Sequence, residues 1–250
     1  MSNPIHMANP SPNLYKTRLD PNSTLLTRPI AHRGLHGDSN PQNSMAAFAA
    51  AIAADVPIEL DVWQLTDGAV AVFHDHDLEY LTGESGRIYE VDTPRLSTLR
   101  LAGTQEPVPL LSEVLDFVGG RVPLLIEVKC RCLRVGSLEA ALVERLSGYT
   151  GELAIQSFNP LSVLWLKQHA PHLLRGQLAG GPIGVPFLVQ TAPDFIAYQV
   201  GALPQPSVTA ARAAGIPVLA WTVRSARALA RAELEADNII CERADGFAPF

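Results

Sequence analysis

The stretch of the chain that decides the fold is IELDVWQLTDGAVAVFH, residues 58–74. Apolar and acidic residues alternate at its start, so Glu59 and Asp61 share one face of a strand and the apolar residues share the other. Because the apolar face must pack against helices, both carboxylates are predicted to point into the interior of a closed sheet. Like charges there are costly unless a positive charge lies between them. A salt-bridged structural pair is the alternative interpretation.

Short apolar segments like this one recur along the chain and alternate with segments rich in Ala and Leu. Alternation of this kind is typical of parallel strands that are covered by helices. The predicted strands are 29–32, 58–64, 122–129, 153–157, 173–178, 195–199, 217–223 and 238–242. The predicted helices are 44–54, 138–146, 161–168, 207–214 and 225–235. Eight strands in 250 residues favour an α/β fold of the TIM (β/α)8 barrel type. A doubly wound open sheet is the alternative.

The pair Asp67-Gly68 predicts a small β-hairpin after the second barrel strand, since this dipeptide favours a tight two-residue turn. Counting outward from the turn pairs Trp63 with Val72 and Asp61 with His74. That register would place the imidazole of His74 directly across from the carboxylate of Asp61.

Three further residues are predicted to lie near the two carboxylates. Glu127 and Lys129 alternate with apolar residues, so they share one inward face of another strand. His32 ends the first strand, at the rim where barrel enzymes place their catalytic groups. Three carboxylates on two strands form a hard-oxygen site suited to one divalent cation, Mg²⁺ or Ca²⁺. Two histidines beside it are suited to acid and base work near neutral pH.

Two segments interrupt the alternation of strands and helices. Residues 76–106 contain no convincing strand, and such a long loop is expected beside the active site. Residues 1–28 are predicted to form an N-terminal extension to one catalytic barrel domain, residues 29–250. Because no helix is predicted after the last strand, part of this extension is expected to cover that gap.

Composition limits the class of protein and its partners. The formal net charge of −6 argues against a nucleic-acid partner and leaves room for a small phosphodiester. Cys130, Cys132 and Cys241 are an odd number of thiols, which favours a reduced cytoplasm. No signal peptide or membrane span is predicted, since no apolar run approaches about 20 residues. Oligomeric state is not indicated by the sequence.

The ordered set of motifs resembles the glycerophosphodiester phosphodiesterase family, in its short bacterial intracellular form. The motifs that carry this resemblance run from Ile30 to Asp245 and are His32-Arg33-Gly34, Asn43, Glu59-Leu60-Asp61, Thr66-Asp67-Gly68, His74-Asp75, Leu81-Thr82-Gly83, Glu127-Val128-Lys129, Ser157-Phe158 and Trp221-Thr222-Val223. No single motif is decisive, but the set in this order is specific.

The resemblance implies hydrolysis of a glycerophosphodiester to glycerol 3-phosphate and an alcohol. It implies a divalent cation on Glu59, Asp61 and Glu127, in agreement with the strand argument. It also implies that His32 and His74 are the general acid and base. Further implied contacts to the substrate are made by Arg33 and Lys129, which hold its phosphate. Phe158 and Trp221 are candidates to pack against its glycerol or headgroup.

Three departures from the family pattern bear on this expectation. Gln42 stands where the family usually has glutamate, which removes a charge near Arg33. Arg224 replaces an asparagine, with a narrower cleft or an added phosphate contact as its expected effect. Glu242 lies in Cys-Glu-Arg-Ala, where the family usually has Thr-Asp-Arg-Pro.

Two alternatives to this function remain open from the sequence. One is a lysophospholipase D or sphingomyelinase D-like enzyme on the same fold, which would need an exposed apolar rim; Phe187, Leu188 and Phe195 are the candidates. The other is a non-catalytic phosphodiester-binding member of the family, motivated by Gln42.

Overall fold

The computed structural model describes residues 16–101, 103–130, 135–181, 185–243 and 249, with the backbone alone at 185–187. Its nine strands are β1 (Ile30–Ala31), β2 (Ile58–Gln64), β3 (Val70–Val72), β4 (Leu124–Val128), β5 (Leu153–Ser157), β6 (Leu174–Ala179), β7 (Phe195–Gln199), β8 (Val218–Val223) and β9 (Asn238–Cys241). The predicted strands are confirmed, with ends that shift by one or two residues.

The barrel is closed by its first strand, which pairs in parallel with both β2 and β9. The eight parallel strands follow the order β1-β9-β8-β7-β6-β5-β4-β2 around the barrel, and β3 pairs antiparallel with β2 outside it. The prediction of a TIM barrel with a hairpin arm after the second strand is therefore confirmed, and the open sheet is excluded.

The described helices comprise longer ones that cover the outside of the strands and one-turn helices at the lower end of the barrel and in the long segment after the hairpin. They are α1 (Thr24–Thr27), α2 (Met45–Ala53), α3 (Glu79–Thr82), α4 (Thr93–Leu96), α5 (Leu111–Val118), α6 (Ser137–Leu146), α7 (Pro160–His169), α8 (Val185–Thr191), α9 (Pro206–Ala213) and α10 (Ala226–Glu235), with 3-10 turns at Ile88–Glu90 and Val200–Ala202. Sequence reasoning missed α5 and α8, and it also missed the one-turn helices α1, α3 and α4. The signal for α5 was present, because its buried residues recur at positions i, i+3, i+4 and i+7. Within the described part of the chain, no helix combines the length and apolar character needed to cross a membrane.

Alternate side chains of β2 face opposite sides of the barrel wall, as predicted. Ile58, Leu60 and Val62 join the apolar layer between the strands and the outer helices. Glu59 and Asp61 are buried on the opposite face, inside the barrel. In β4 the same division places the side chain of Glu127 inward, opposite Asp61 in the parallel register.

The hairpin register is wrong by one residue. The observed register pairs Val62 with Val72 and Trp63 with Ala71. The turn contains three residues, because Gly68 takes a left-handed conformation at φ +87° and its amide donates to the carbonyl of Leu65. The amide of Thr66 is not available to the hairpin, since it donates to the carbonyl of Val91 in the long loop.

The corrected register changes which residue lies across from Asp61. The amide of Phe73, not of His74, donates to the carbonyl of Asp61 at 3.0 Å. His74 therefore begins the segment that leaves the hairpin. Its carbonyl accepts a hydrogen bond from the indole of Trp63 at 3.1 Å, which ties this segment to the end of β2.

The described residues of the segment 76–106, which are all but residue 102, contribute no strand to the barrel sheet, as predicted, but most of this long segment is not an open loop. It forms α3, α4 and a 3-10 turn around a small apolar cluster of its own, to which Trp63 and Phe73 belong. His76 and Tyr89 line cavities beside the barrel rim. The segment lies next to the candidate site, as expected from its length.

The N-terminal segment closes the lower end of the barrel, where the strands begin. Leu19 and Leu25 are buried in one cluster with inward-facing strand residues such as Ile30, Leu125 and Leu219. The described part of this segment, residues 16–28, reaches the last strand at its base, where Asn238 donates to the carbonyls of Leu25 and Arg28, so the expected contact with that strand is made from below. A barrel whose lower interior is apolar exposes that interior to water unless another segment covers it, and burial of the two leucines removes this exposure.

We expect Leu25→Ala to lower the free energy of unfolding by about 2–5 kcal/mol, because Leu25 is 1% exposed and a cavity would remain beneath the barrel. Urea unfolding followed by circular dichroism measures the change. Leu234→Ala is the matched control, since Leu234 is 77% exposed on α10 and its truncation should change stability little. An equal loss in both variants would contradict the role of Leu25.

Candidate active site

The predicted site residues meet at the upper rim of the barrel, where the strands end. A cavity of about 150 Å³ is lined there by both histidines, two of the three carboxylates, both basic residues and the aromatic pair: His32, Arg33, Glu59, His74, Glu127, Lys129, Phe158 and Trp221. Asp61 lies buried beneath it, in contact with Arg33 and Lys129. Every site residue proposed from the sequence is therefore in this one region of the molecule.

The three inward carboxylates form one cluster. Glu59, Asp61 and Glu127 each offer an oxygen within 4.8 Å of the others. Lys129 Nζ lies 2.9 Å from Asp61 Oδ1 and 2.6 Å from Glu127 Oε1. Arg33 Nε lies 3.3 Å from Asp61 Oδ2, and the backbone amide of Arg33 donates to Glu59 Oε2 at 3.0 Å. Two cationic side chains therefore face three carboxylates, so one negative charge is uncompensated when all three carboxylates are ionised.

The pKa values of the three carboxyl groups reflect this excess of carboxylates over cationic side chains. Burial raises the pKa of Glu59 well above its usual value, and the charges of Asp61 and Glu127 raise it further. Burial also raises the pKa of Glu127, to about 7. Burial opposes ionisation of Asp61 as well, but Lys129 and Arg33 outweigh it and hold the pKa of Asp61 below its usual range. Buried, adjacent oxygens with surplus negative charge are a donor set that fits Mg²⁺ or Ca²⁺.

His32 is held on one side by a carboxylate and faces the cluster on the other. Its Nδ1 lies 2.5 Å from Glu242 Oε1, and its Nε2 lies 3.9 Å from Glu59 Oε2. Burial lowers the pKa of His32 to about 4, against the opposing effect of the hydrogen bond to Glu242. The ring is therefore neutral near pH 7.

His74 approaches the cluster from the hairpin side. Its Nδ1 lies 2.6 Å from Asp75 Oδ1. Burial lowers the pKa of His74, while the charge of Asp61 opposes this shift. His74 lines the same cavity as Glu59 and Glu127, but it is not the cross-strand partner of Asp61 that the sequence predicted.

The turn after β1 places Arg33 over the cluster. Arg33 has a positive φ of 59°, and Gly34, at φ +81°, follows it. A Cβ on Gly34 would lie 2.9 Å from Cβ of Ala47 and 3.0 Å from a ring carbon of Phe48. The turn therefore needs glycine both for its conformation and for the close approach of α2.

We expect Gly34→Ala to lower the free energy of unfolding by about 2 kcal/mol, through left-handed strain and overpacking against α2. Chemical denaturation measures the loss. Gly37→Ala serves as the control, because nothing lies within 4 Å of a Cβ at Gly37 and its φ is not positive. Wild-type stability of Gly34→Ala would show that the turn can relax.

Phe158 and Trp221 form the aromatic side of the cavity. Their rings meet edge to face, with centroids 5.4 Å apart and planes at 90°. Phe158 remains 47% exposed, so its ring is available to a ligand. The two aromatic residues come from the ends of β5 and β8, far apart in the chain.

The residues that hold the site residues in place were quoted from the sequence as parts of motifs or as departures from them, but no supporting role was predicted for them. Asn43 donates to Asp61 Oδ2 at 2.8 Å, Asp75 holds His74, and Glu242 holds His32. Gln42 accepts a hydrogen bond from the guanidinium of Arg33. A signal existed for Glu242, since it directly follows a barrel strand and therefore lies at the same rim as His32.

The remaining described histidines fall into two groups, near the site and at the exposed surface. His36 lies near the site, with Nε2 3.8 Å from Glu242 Oε1, and His76 lines a neighbouring cavity. His169 and His172 are exposed. Cys130 Sγ accepts a hydrogen bond from Asn159. Cys132 lies outside the described residues.

Comparisons of this chain with known protein families and with known proteins agree with one another. A family model described as the glycerophosphoryl diester phosphodiesterase family matches residues 32–245. A glycerophosphodiester phosphodiesterase of Caldanaerobacter subterraneus is 32% identical over 161 residues, which cover 60% of this chain and 65% of that protein. The aligned part thus spans just under two thirds of the length of this relative.

Two solved structures extend the likeness to most of the fold. A phosphodiesterase of Oleispira antarctica, in complex with the product sn-glycerol-3-phosphate, superposes with a TM-score of 0.79 at 26% identity and covers 86% of this chain and 92% of its own. A glycerophosphodiester phosphodiesterase of Thermotoga maritima gives 0.70 at 23% identity, over 85% and 92%, which supports the fold. The chain belongs to the glycerophosphoryl diester phosphodiesterase family.

Proposed function

We propose that the protein hydrolyses glycerophosphodiesters to glycerol 3-phosphate and an alcohol, with one divalent cation. The observation that carries this proposal is the cluster of three carboxylates within 4.8 Å of one another, beside two histidines and two basic residues at one barrel rim. Family membership supports it. The Oleispira antarctica relative was solved with sn-glycerol-3-phosphate, which is the product proposed here.

Glu59, Asp61 and Glu127 would hold the cation, because their oxygens are hard ligands and carry one more negative charge than Arg33 and Lys129 balance. When bound, Mg²⁺ or Ca²⁺ supplies Lewis-acid stabilisation of charge on the phosphoryl oxygens. Because the cluster lies directly beneath the cavity, a phosphate held in the cavity would lie near the cation.

Arg33 and Lys129 bind the phosphate in this proposal. Both line the cavity, and both are fixed by ion pairs to Asp61, so their donors are oriented before a substrate arrives. Preorganised cations at the reacting phosphoryl group stabilise the charge that develops in the transition state. Phe158 and Trp221 provide the apolar wall against which the glycerol or headgroup packs.

His32 and His74 carry the two proton transfers. The oxygen of water bonds to phosphorus while the bond from phosphorus to the departing alcohol breaks, which gives glycerol 3-phosphate directly. If a substrate hydroxyl attacks instead, the alcohol leaves a cyclic phosphate, and water must then open that ring in a second step to give glycerol 3-phosphate. One histidine accepts the proton of the attacking oxygen, and the other donates a proton to the oxygen of the leaving alcohol. Both rings line the same cavity, so each can reach the phosphoryl group.

The lipid-cleaving alternative is weakened by burial of the residues suggested for an apolar rim. Phe195 is 1% exposed inside the barrel, and Leu188 is 3% exposed. Neither forms a surface for an acyl chain. The side chain of Phe187 lies outside the described residues.

The non-catalytic alternative depends on Gln42. In the structure the amide oxygen of Gln42 accepts a hydrogen bond from Arg33. A neutral amide therefore suffices to hold Arg33, and the three carboxylates and both histidines are all present. This contact favours an enzyme over a binding protein.

The test is release of glycerol 3-phosphate from glycerophosphocholine and glycerophosphoethanolamine after EDTA treatment, with Mg²⁺ or Ca²⁺ then restored. Metal-restored release is expected, and the two substrates rank the headgroups. Gln42→Glu is the companion variant. If the wild type releases no glycerol 3-phosphate with either metal but Gln42→Glu does, the wild type is a disabled enzyme. If neither protein releases glycerol 3-phosphate, the proposal is overturned.

A further inference from the structure

Arg224 and Glu242 follow the last two barrel strands, β8 and β9, and bind each other at the rim. The guanidinium of Arg224 donates from Nε to Glu242 Oε2 at 2.5 Å and from Nη2 to Oε1 at 2.7 Å. Two parallel bonds fix the plane of the carboxylate as well as its position. The two residues are also two of the departures from the family pattern, so the structure shows these departures to be each other's partners.

The same carboxylate holds the catalytic-site histidine. Glu242 Oε1 lies 2.5 Å from Nδ1 of His32. Burial opposes ionisation of Glu242, but hydrogen bonds from His32 and Arg224 outweigh it and hold its pKa well below the usual range. An ionised carboxylate can only accept hydrogen bonds, so the proton of the neutral imidazole lies on Nδ1.

The location of this proton determines what the other ring nitrogen can do. Nε2 of His32 then carries a lone pair, and it is the nitrogen on the side of Glu59, 3.9 Å away. His32 lines the cavity together with Arg224 and Trp221. A neutral histidine whose Nδ1–H is fixed by a carboxylate presents Nε2 to a substrate in the form that accepts a proton.

A metal site at Glu242 is the competing interpretation, since His32, His36 and Glu242 offer ligand atoms within 4.8 Å of one another. Arg224 already makes two hydrogen bonds to this carboxylate. A metal ion there would have to displace or repel the guanidinium. The geometry therefore favours an orienting contact.

We propose that Glu242, oriented by Arg224, is a positioning residue that keeps the proton of His32 on Nδ1 and leaves Nε2 free to exchange a proton with the substrate. The kinetic consequence rests on the proposed function, whereas the location of the proton is measurable without any substrate.

The direct test is long-range ¹H–¹⁵N NMR of the full chain, labelled at histidine nitrogen, near pH 7. The His32 signals are assigned by their absence in His32→Asn. We expect the wild type to carry the proton on Nδ1, and Glu242→Ala to shift His32 towards the Nε2–H form. Arg224→Ala should give an intermediate shift. A wild-type His32 protonated on Nε2, or no change in Glu242→Ala, would overturn the proposal.

Kinetics supply the second test. We expect Glu242→Ala to lower kcat by about 10–100-fold, as for other residues that orient a catalytic group, with KM changed by no more than about twofold. Glu242→Asp should recover part of the loss, since it restores a carboxylate. Glu233→Ala, at an exposed position on α10, is the matched control and should behave as the wild type. A change in KM alone would contradict positioning. If the wild type turns over no glycerophosphodiester, the proposed function fails, and the NMR result still decides the role of Glu242.

Discussion

His74→Ala is expected to lower kcat on glycerophosphocholine by about 10²–10⁴-fold, the usual contribution of a positioned acid or base. The half-exposed ring lies beside the carboxylate cluster, and its Nδ1 is fixed by Asp75, so its loss removes a proton-transfer group without opening the core. His32→Ala is expected to have an effect of the same size. Initial rates of glycerol 3-phosphate release measure both.

The control for these variants is His172→Ala, since His172 is exposed and lies away from the rim. It should retain wild-type turnover. Circular dichroism and the thermal midpoint show whether each variant is folded, which matters most for buried His32. A folded His74→Ala protein with near-normal kcat would falsify the acid–base assignment.

Glu59→Gln is expected to abolish metal-dependent turnover while making the metal-free protein more stable. The loss follows from removal of one of three hard ligands, so the affinity for Mg²⁺ or Ca²⁺, measured by calorimetry, should fall about 10²-fold or more. The gain follows from burial of Glu59 beside Asp61 and Glu127, which raises its pKa. A neutral amide of the same shape removes that repulsion, and we expect a gain of about 1–2 kcal/mol in the free energy of unfolding.

The pH dependence of this gain can be stated with its sign. Because the folded-state pKa of Glu59 lies above its unfolded value, the ionised carboxylate costs stability at neutral pH, and the cost disappears as pH falls below the unfolded pKa of about 4. The stability difference between Glu59→Gln and the wild type should therefore shrink in acid. Urea unfolding in EDTA, at neutral pH and near pH 4, checks it.

Glu233→Gln is the matched control, since it makes the same change at an exposed position on α10. It should alter neither metal affinity nor stability. If Glu59→Gln binds the cation as tightly as the wild type, Glu59 is not a ligand. If the metal-free variant is less stable than the wild type, the carboxylate is better compensated than its pKa indicates.

Period-2 alternation was sufficient to predict where the three carboxylates point. Along β2 and β4 it determines which face each side chain occupies, and this follows from backbone geometry within a few residues. The rim positions of His32 and Lys129 follow in the same way, since every parallel strand ends at the same side of the barrel. The ordered motifs then added the family and, with it, the aromatic pair.

The register of the hairpin could not be predicted from the local sequence alone. Asp67-Gly68 correctly predicted a turn, but the amide of Thr66 donates a hydrogen bond to the carbonyl of Val91, which lies 25 residues further along the chain. That contact depends on the path of the long segment and lengthens the turn by one residue. A one-residue slip moves every side chain of a strand to the other face, so it changed the predicted position of His74.

Sequence by itself determined the alternating strands and helices, the inward faces of Glu59, Asp61 and Glu127, and the family motifs, because these depend on periodicity and residue type over short distances. Tertiary structure alone decided that Leu25 closes the barrel from below and that Glu242 holds His32 across 210 residues of chain. Both contacts form only when the barrel closes and brings β9 next to β1. No local pattern encodes them, because the energy that selects them comes from burial and hydrogen bonding between segments distant in sequence.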